Sequence, residues 1–293
     1  MRLASFSFED TPRVGIVVGD EIVDLYLAEP EAPTDMNEFL ALGEDARVMA
    51  EVAVERGGNR RPLSDVQLLS PVPNPVKFLA IGLNYGDHIA ETGAETPRYP
   101  TVFTKQVSCV NHPAGAIHIP RVSRAVDYEG ELGVVIGETC RHVSAADAPR
   151  VIAGYTIVND VSVRDYQNRT RQFTMGKSFD THGPVGPVIV TGDELGNPHD
   201  LGIRTYVNGD LRQNSNTKHL IFDCYDIVEY ITSALTLEPG DIIATGTPSG
   251  VAAAMTPPPW LTPGDVVRIE IDGIGSLENT CVAEPELITE DHH

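Results

Sequence analysis

Cations are scarce in this 293-residue sequence: 21 Lys and Arg face 42 Asp and Glu, for a formal net charge of −21 at pH 7. That excludes a nucleic-acid binder, because counterion release from a phosphate backbone needs a basic stripe. The densest basic run, residues 164–171 (RDYQNRTR), is too short and too interrupted to supply one. Long apolar runs are missing as well. Nothing approaches the ~18–20 residues of a membrane helix, and the start MRLASFSFED puts acids where a signal peptide carries its apolar region. The chain is therefore expected in the cytoplasm, with no membrane partner. The four cysteines, Cys109, Cys140, Cys224 and Cys281, form no CxxC pair, so a zinc ribbon or redox motif is left out. Buried free thiols are expected in preference to disulfides.

What remains is ordinary globular composition, 41% hydrophobic and 22% charged. The length allows one large domain, or one with a small appendage. Residues 1–70 read as a small β-rich N-terminal unit: a strand at Arg2–Phe8, then VGIVV and EIVDLY separated by the hairpin pair Gly19-Asp20. From Met36 to about Arg56, Phe39, Leu40, Leu42, Val48, Met49, Val52 and Val54 recur at helical spacing until Gly57-Gly58 stops them. The PVPNP run at Pro71–Pro75 is a rigid connector that marks a boundary. Beyond it lie short β-runs with Gly/Pro turns and one clear helix, Phe222–Leu235, with Ile227, Val228, Ile231 and Leu235 on one face. The pattern L-x-P-G-D-[IV]-[IV] occurs twice, from Leu237 and from Leu261, and predicts two turn-then-strand units. The fold class is α+β and β-rich.

Three groups of residues could carry chemistry. In Asp127-Tyr-Glu129-Gly-Glu131, a strand would project Glu129 and Glu131 on one face. At ~4 Å and an effective dielectric of ~20, two carboxylates repel by about 4 kcal/mol, so solvent, a base, a shared proton or a cation must neutralise them. Taken alone, a solvated acidic face is the plainer reading. Asp160 at the end of the apolar run GYTIVND shifts the balance. Three carboxylates suit Mg²⁺ or Mn²⁺ better than Zn²⁺, with Ca²⁺ also compatible. Lys177 and Arg164 would supply the positive charge that an anionic substrate needs. In the third group, His88 and Glu91 lie at i and i+3, the spacing of a general base with its orienting acid or of a surface ion pair.

The ordered series GLNYGDHIAE, DYEGELGVVIG, NDVSVRDYQ, GKSFDT, VNG and PGDIIATGTPSGV resembles the fumarylacetoacetate hydrolase family, over roughly residues 72–283. The resemblance implies a mixed β-roll or sandwich core in a catalytic domain over 71–290, a homodimer, and a divalent metal on Glu129, Glu131 and Asp160. It implies a catalytic set of His88, Glu91 and Lys177, with Glu91 and His88 on a segment that orders over substrate between the hinges Gly86 and Gly93. Arg164, Gln167 and Thr247 would bind a small anionic 2-oxo acid.

The activity it implies is hydrolysis of the C–C bond of a 2,4-dioxo acid, of the acylpyruvate or dioxo-deoxy sugar acid type, to pyruvate and a carboxylic acid. The metal would act as Lewis acid, His88 would deprotonate water, and Lys177 would stabilise the departing enolate. Oxaloacetate decarboxylation and isomerisation of the 2-hydroxyhepta-2,4-diene-1,7-dioate kind share that enolate and stand second. A non-catalytic, metal-stabilised oligomer is the reading from a different class, and the presence of His88, Glu91 and Lys177 together speaks against it. His182 either reaches the substrate or shapes a turn. Cys109, Asn111 and His112 depart from the family's usual small residues near the substrate tail, and Trp260, behind three prolines, closes the pocket or serves an interface.

Overall fold

The computed structural model describes residues 1–87, 91 and 95–286. Of the residues singled out above, His88 and Gly93 lie outside that set. A 12-stranded mixed sheet runs in the order Arg60–Pro62, Glu21–Asp24, Thr11–Val18, Arg2–Phe8, Gly183–Val190, Ile152–Asn159, Gly130–Ile136, Ile242–Ala244, Phe78–Gly82, Thr101–Lys105, with two short strands off this path. A five-stranded sheet orders Asp210–Asn216, Gly202–Val207, Val266–Ile271, Gly275–Ala283, Ile117–Ile119. The N-terminal domain joins the larger sheet directly, because Arg2–Phe8 pairs antiparallel with Gly183–Val190, Leu3 opposite Ile189.

The strand Gly130–Ile136 explains how the layers form. Its side chains alternate between two faces. Leu132, Val134 and Ile136 pack into one core with Ile203, Val267, Ile269 and Leu277 of the smaller sheet. Val135 faces a second core, shared with Phe39, Ala46, Ala50 and Ala53 of the N-terminal helices. Glu129 and Glu131 share the parity of Val135, so they project away from the smaller sheet, whereas Gly130 faces it. A Cβ on Gly130 would clash with Thr205 Oγ1, so glycine lets the two sheets touch there.

The hairpin follows the sequence, with Val18 opposite Glu21 across Gly19-Asp20. The helix expected over Met36–Arg56 is two helices, Met36–Ala41 and Glu44–Arg56, broken where Gly43 takes φ +57. The second buries its small residues Ala46, Ala50 and Ala53, and Val48 points outward at 46% exposure. Close helix–sheet approach selected alanine where hydrophobicity alone would have chosen valine. The later helix, Cys224–Ala234, buries Ile227, Val228 and Ile231 and starts on a capping box of Asp223 and Asp226. Leu235 is its C-terminal cap and is exposed. Both Pro-Gly-Asp turns lead into strands, and each aspartate accepts from the amide three residues earlier: Asp241 Oδ2 from Glu238 (2.8 Å) and Asp265 Oδ2 from Thr262 (2.7 Å). The two strands lie in different sheets.

All four cysteines are free and buried. No described helix is long and apolar enough to cross a membrane.

Candidate active site

The site forms where a strand pair ends. Gly130–Ile136 pairs with Ile242–Ala244 only from Gly133 onward, and beyond Ala244 the chain leaves as the turn Thr245-Gly-Thr-Pro-Ser-Gly250. That turn runs along residues 127–132 and satisfies them one by one. Thr245 N–H donates to the Leu132 carbonyl (3.0 Å). Gly246 N–H donates to Glu131 Oε2 (2.7 Å), and Thr247 Oγ1 donates to the Gly130 carbonyl (3.0 Å). Tyr128 Oη donates to the Gly250 carbonyl (2.9 Å). Ala252 and Ala253 amides donate to the two oxygens of Asp127 (2.8 and 3.0 Å). Gly250, at φ +102, lies against the Arg212 carbonyl, where a side chain has no room.

Within this frame Glu129, Glu131 and Asp160 are all buried, and one oxygen from each lies within 4.8 Å of the others. Asp160 follows the strand Ile152–Asn159 and is registered by its own N–H on the Glu129 carbonyl (2.9 Å). Three cations surround the acids. Lys177 Nζ reaches Glu129 Oε2 (2.6 Å) and Asp160 Oδ2 (2.7 Å). Arg164 Nη2 lies 2.6 Å from Glu129 Oε1 and 2.8 Å from Asp127 Oδ2. Lys105, with no exposed surface, donates to Asp160 Oδ1 (2.7 Å), to the His182 carbonyl (3.0 Å) and to the Lys177 carbonyl. Among the described residues no ammonium or guanidinium pairs with Glu131.

Burial, and then the charges of Asp160 and Glu129, push the Glu131 carboxyl well above the ordinary carboxylate range, against the smaller pull of Lys177 and the Gly246 amide. Burial works against the Lys177 ammonium, but Asp160 and Glu129 outweigh it and hold the group above its ordinary value. The same balance raises Arg164, through Glu129 and Asp127.

The donor set fits a hard divalent cation: three convergent carboxylates, one of them without a cationic partner among the described residues, and no thiolate or imidazole in the group. Among the described residues, four acids, counting Asp127, and three bases leave one negative charge in excess when all are ionised. A divalent cation would turn that into one positive charge, which a carboxylate ligand would neutralise.

The remaining predicted residues are placed as follows. Gln167 ends the short helix Arg164–Gln167 and accepts from Arg164 Nη1 at 2.9 Å. The Thr247 hydroxyl, besides donating to Gly130, accepts from Gln213 Nε2 (2.8 Å), so it is engaged in the framework. Glu91 is exposed and accepts from the Gly250 amide at 3.1 and 3.2 Å. His182 is fully buried and shapes the fold: its Nε2–H donates to the His118 carbonyl (2.8 Å), and burial depresses its imidazole to about 4. Asn111 is likewise buried, donating to the carbonyls of Ala116 (2.9 Å) and Thr181 (3.2 Å). Cys109 is buried, and His112 Nδ1 accepts from the Ser70 amide (3.3 Å). Trp260 is half-buried against the core between the sheets.

Sequence reasoning found Lys105 only as part of the family-like pattern Phe103-Thr-Lys105, without a place beside the acids, and gave Asp127 no role in the site. Asp127 stood two residues before Glu129, on the same face of an extended chain, and the shortage of cations should have made a lysine within a β-run conspicuous.

Comparison with known proteins shows the family. Residues 77–282 match the family described as fumarylacetoacetate (FAA) hydrolase C-terminal, and residues 1–71 match that described as Rv2993c-like, N-terminal. The chain is 42% identical over 288 residues to the mitochondrial oxaloacetate tautomerase fahd2 of Xenopus laevis, covering 96% of this chain and 90% of that one. It is 42% identical over 298 residues to the oxaloacetate tautomerase of Bacillus subtilis, covering 95% and 99%. The crystal structure of maleylpyruvate hydrolase from Sphingobium sp. SYK-6, in complex with manganese(II) and pyruvate, superposes with a TM-score of 0.82 at 36% identity, covering 97% and 100%. With a family match over more than half its length and relatives this similar along nearly all of it, the chain belongs to the fumarylacetoacetate hydrolase family and is an enzyme.

Proposed function

We propose that the protein is a divalent-metal enzyme that interconverts the enol and keto forms of a small 2-oxo diacid of the oxaloacetate type. The observation that carries this is the convergence of three buried carboxylates, Glu129, Glu131 and Asp160, one oxygen of each within 4.8 Å of the others, with Lys177 and Arg164 beside them. Relatives named oxaloacetate tautomerase, 42% identical over nearly the whole chain in a vertebrate and a bacterium, support the choice of reaction.

Glu129, Glu131 and Asp160 would hold Mg²⁺ or Mn²⁺. When bound, the ion supplies Lewis-acid stabilisation of a 2-oxo acid's enolate oxygen. Lys177, hydrogen-bonded to Asp160 and Glu129, is placed to donate a hydrogen bond to developing negative charge. Arg164 orients Glu129 from behind, and Gln167 accepts from Arg164 and holds the guanidinium in plane. Moving the proton at carbon is assigned to His88 with Glu91. Thr247 supports the Glu129–Glu131 backbone.

Hydrolysis of a 2,4-dioxo acid is the second reading. The His88–Glu91 pair favours it, since hydrolysis adds to the same enolate the need for a base that activates water, and so does the likeness to maleylpyruvate hydrolase. The test is one substrate panel under metal-free, Mg²⁺ and Mn²⁺ conditions. The decay of enol absorbance, pyruvate release from dioxo acids and pyruvate release from oxaloacetate are followed in parallel. Metal-dependent enol decay faster than either pyruvate release is expected. Faster pyruvate release from a dioxo acid would install the hydrolase reading, and the absence of metal-dependent turnover throughout would remove both.

A further inference from the structure

Gly130, the residue between the two glutamates, has lost its neighbouring strand: Ile242–Ala244 pairs no further than Gly133, so the outward N–H and C=O of Gly130 face no backbone partner there. A buried ladder group left without a partner is destabilising, and here two side chains stand in for the missing strand. Gln213, fully buried in Asp210–Asn216 of the other sheet, accepts the Gly130 N–H on Oε1 at 3.0 Å. Its Nε2 donates to Thr247 Oγ1 (2.8 Å) and to the Pro248 carbonyl (2.8 Å). The Thr247 hydroxyl then donates to the Gly130 carbonyl at 3.0 Å and closes a ring.

We infer that Gln213 is a positioning residue for the metal-binding glutamates, acting through this ring by fixing the two peptide groups on either side of Gly130 that join them. The inference rests on the proposed metal site. The directions of the Glu129 and Glu131 side chains follow from the Gly130 backbone, and glycine is the residue least able to hold its own dihedral angles. The ring removes that freedom with donors and acceptors fully assigned: an amide oxygen that accepts, an amide nitrogen that donates twice, and a hydroxyl that does each once. Gln213 also spans the two sheets at the point where the absence of a Cβ on Gly130 lets them meet, so the smaller sheet sets the glutamates without contributing a ligand.

The experiment is Mn²⁺ titration of the full chain by calorimetry, with thermal unfolding measured beside it. In Gln213→Met, which keeps length and apolar bulk but neither donates nor accepts, the Mn²⁺ dissociation constant should rise about 10- to 100-fold, the range for lost outer partners of a metal site. Thr247→Val breaks the ring from its other corner and should weaken Mn²⁺ similarly, whereas Thr247→Ser, which restores the hydroxyl, should return affinity to within about 3-fold. The threonine pair decides the matter if the glutamine variant does not fold. Variants that unfold earlier yet bind Mn²⁺ as the unaltered protein does would reduce Gln213 to a structural role and overturn the inference. An unaltered protein that binds no Mn²⁺ would remove the metal reading itself, a distinguishable failure.

Discussion

Asp24 and Asp241 are as deeply buried as Glu131 and Asp160, and the fold treats them differently. Asp24 has Arg13 at 2.6 Å, Arg61 at 3.6 Å and the Leu27 amide at 3.4 Å. Asp241 accepts from the amides of Lys77 (2.9 Å) and Glu238 (2.8 Å) and pairs with Lys77 Nζ at 2.9 Å. Each is a closed account of charge, one acid with at least one base of its own. Glu131, by contrast, has no cationic partner among the described residues. A buried acid that is fully matched contributes to architecture; acids gathered and left short of cation create a standing demand that a bound ion can meet.

The widest separation between the two treatments should come from Glu131→Gln. Turnover is expected to fall by about three orders of magnitude or more with loss of Mn²⁺ binding. The metal-free variant should be at least as stable as the metal-free parent at pH 7, because the cost of burying that carboxyl, as a desolvated charge or by taking up a proton, has been removed. Metal-free denaturant curves check this, and a less stable variant would show that the cluster was never short of cation.

A buried group without acids around it supplies the next contrast. His182 is neutral in the fold, depressed to about 4, whereas an unfolded histidine takes its proton near 6.5. Its contribution is therefore complete above pH ~6.5 and is lost as pH falls toward 4, by at most about 3.5 kcal/mol at about 1.4 kcal/mol per unit. Urea midpoints across that range should slope in the parent and flatten in His182→Phe. Asp24→Asn keeps the cap on Leu27 but strands Arg13, and should cost about 2 kcal/mol while leaving kcat unchanged. Altered catalysis would mean that the N-terminal acid is coupled to the site. The smallest effect, about 1 kcal/mol, is expected for Lys77→Met, because Lys77 is partly exposed and Asp241 keeps both amide donors.

Much of the site was legible because its residues sit at short spacing on extended chain. Glu129 and Glu131 share a strand face, and Asp160 ends the strand beside them, its N–H on the Glu129 carbonyl. The turn-then-strand pattern was legible because Pro-Gly-Asp encodes its own capping hydrogen bond. Lys105 and Gln213 were not, since each reaches the site from a strand whose neighbours only the tertiary fold supplies: Lys105 lies 55 residues from Asp160 and Gln213 lies 83 from Gly130. The Glu44–Arg56 helix was misread in its buried face because packing distance, which sequence periodicity does not carry, favoured alanine.

The pairing of Arg2–Phe8 with Gly183–Val190 gives the N-terminal domain a protective task. The covered strand is apolar, with Val185, Val188, Ile189 and Val190 buried, and it begins directly after His182, whose carbonyl holds Lys105. The register covers the end of that strand, Ile189 and Val190, whose backbone edge would otherwise be open to another chain. The terminal domain thus caps one end of that strand and extends the sheet beyond it. An isolated catalytic domain would have to acquire a charged or bulged edge before it could remain dispersed at high concentration.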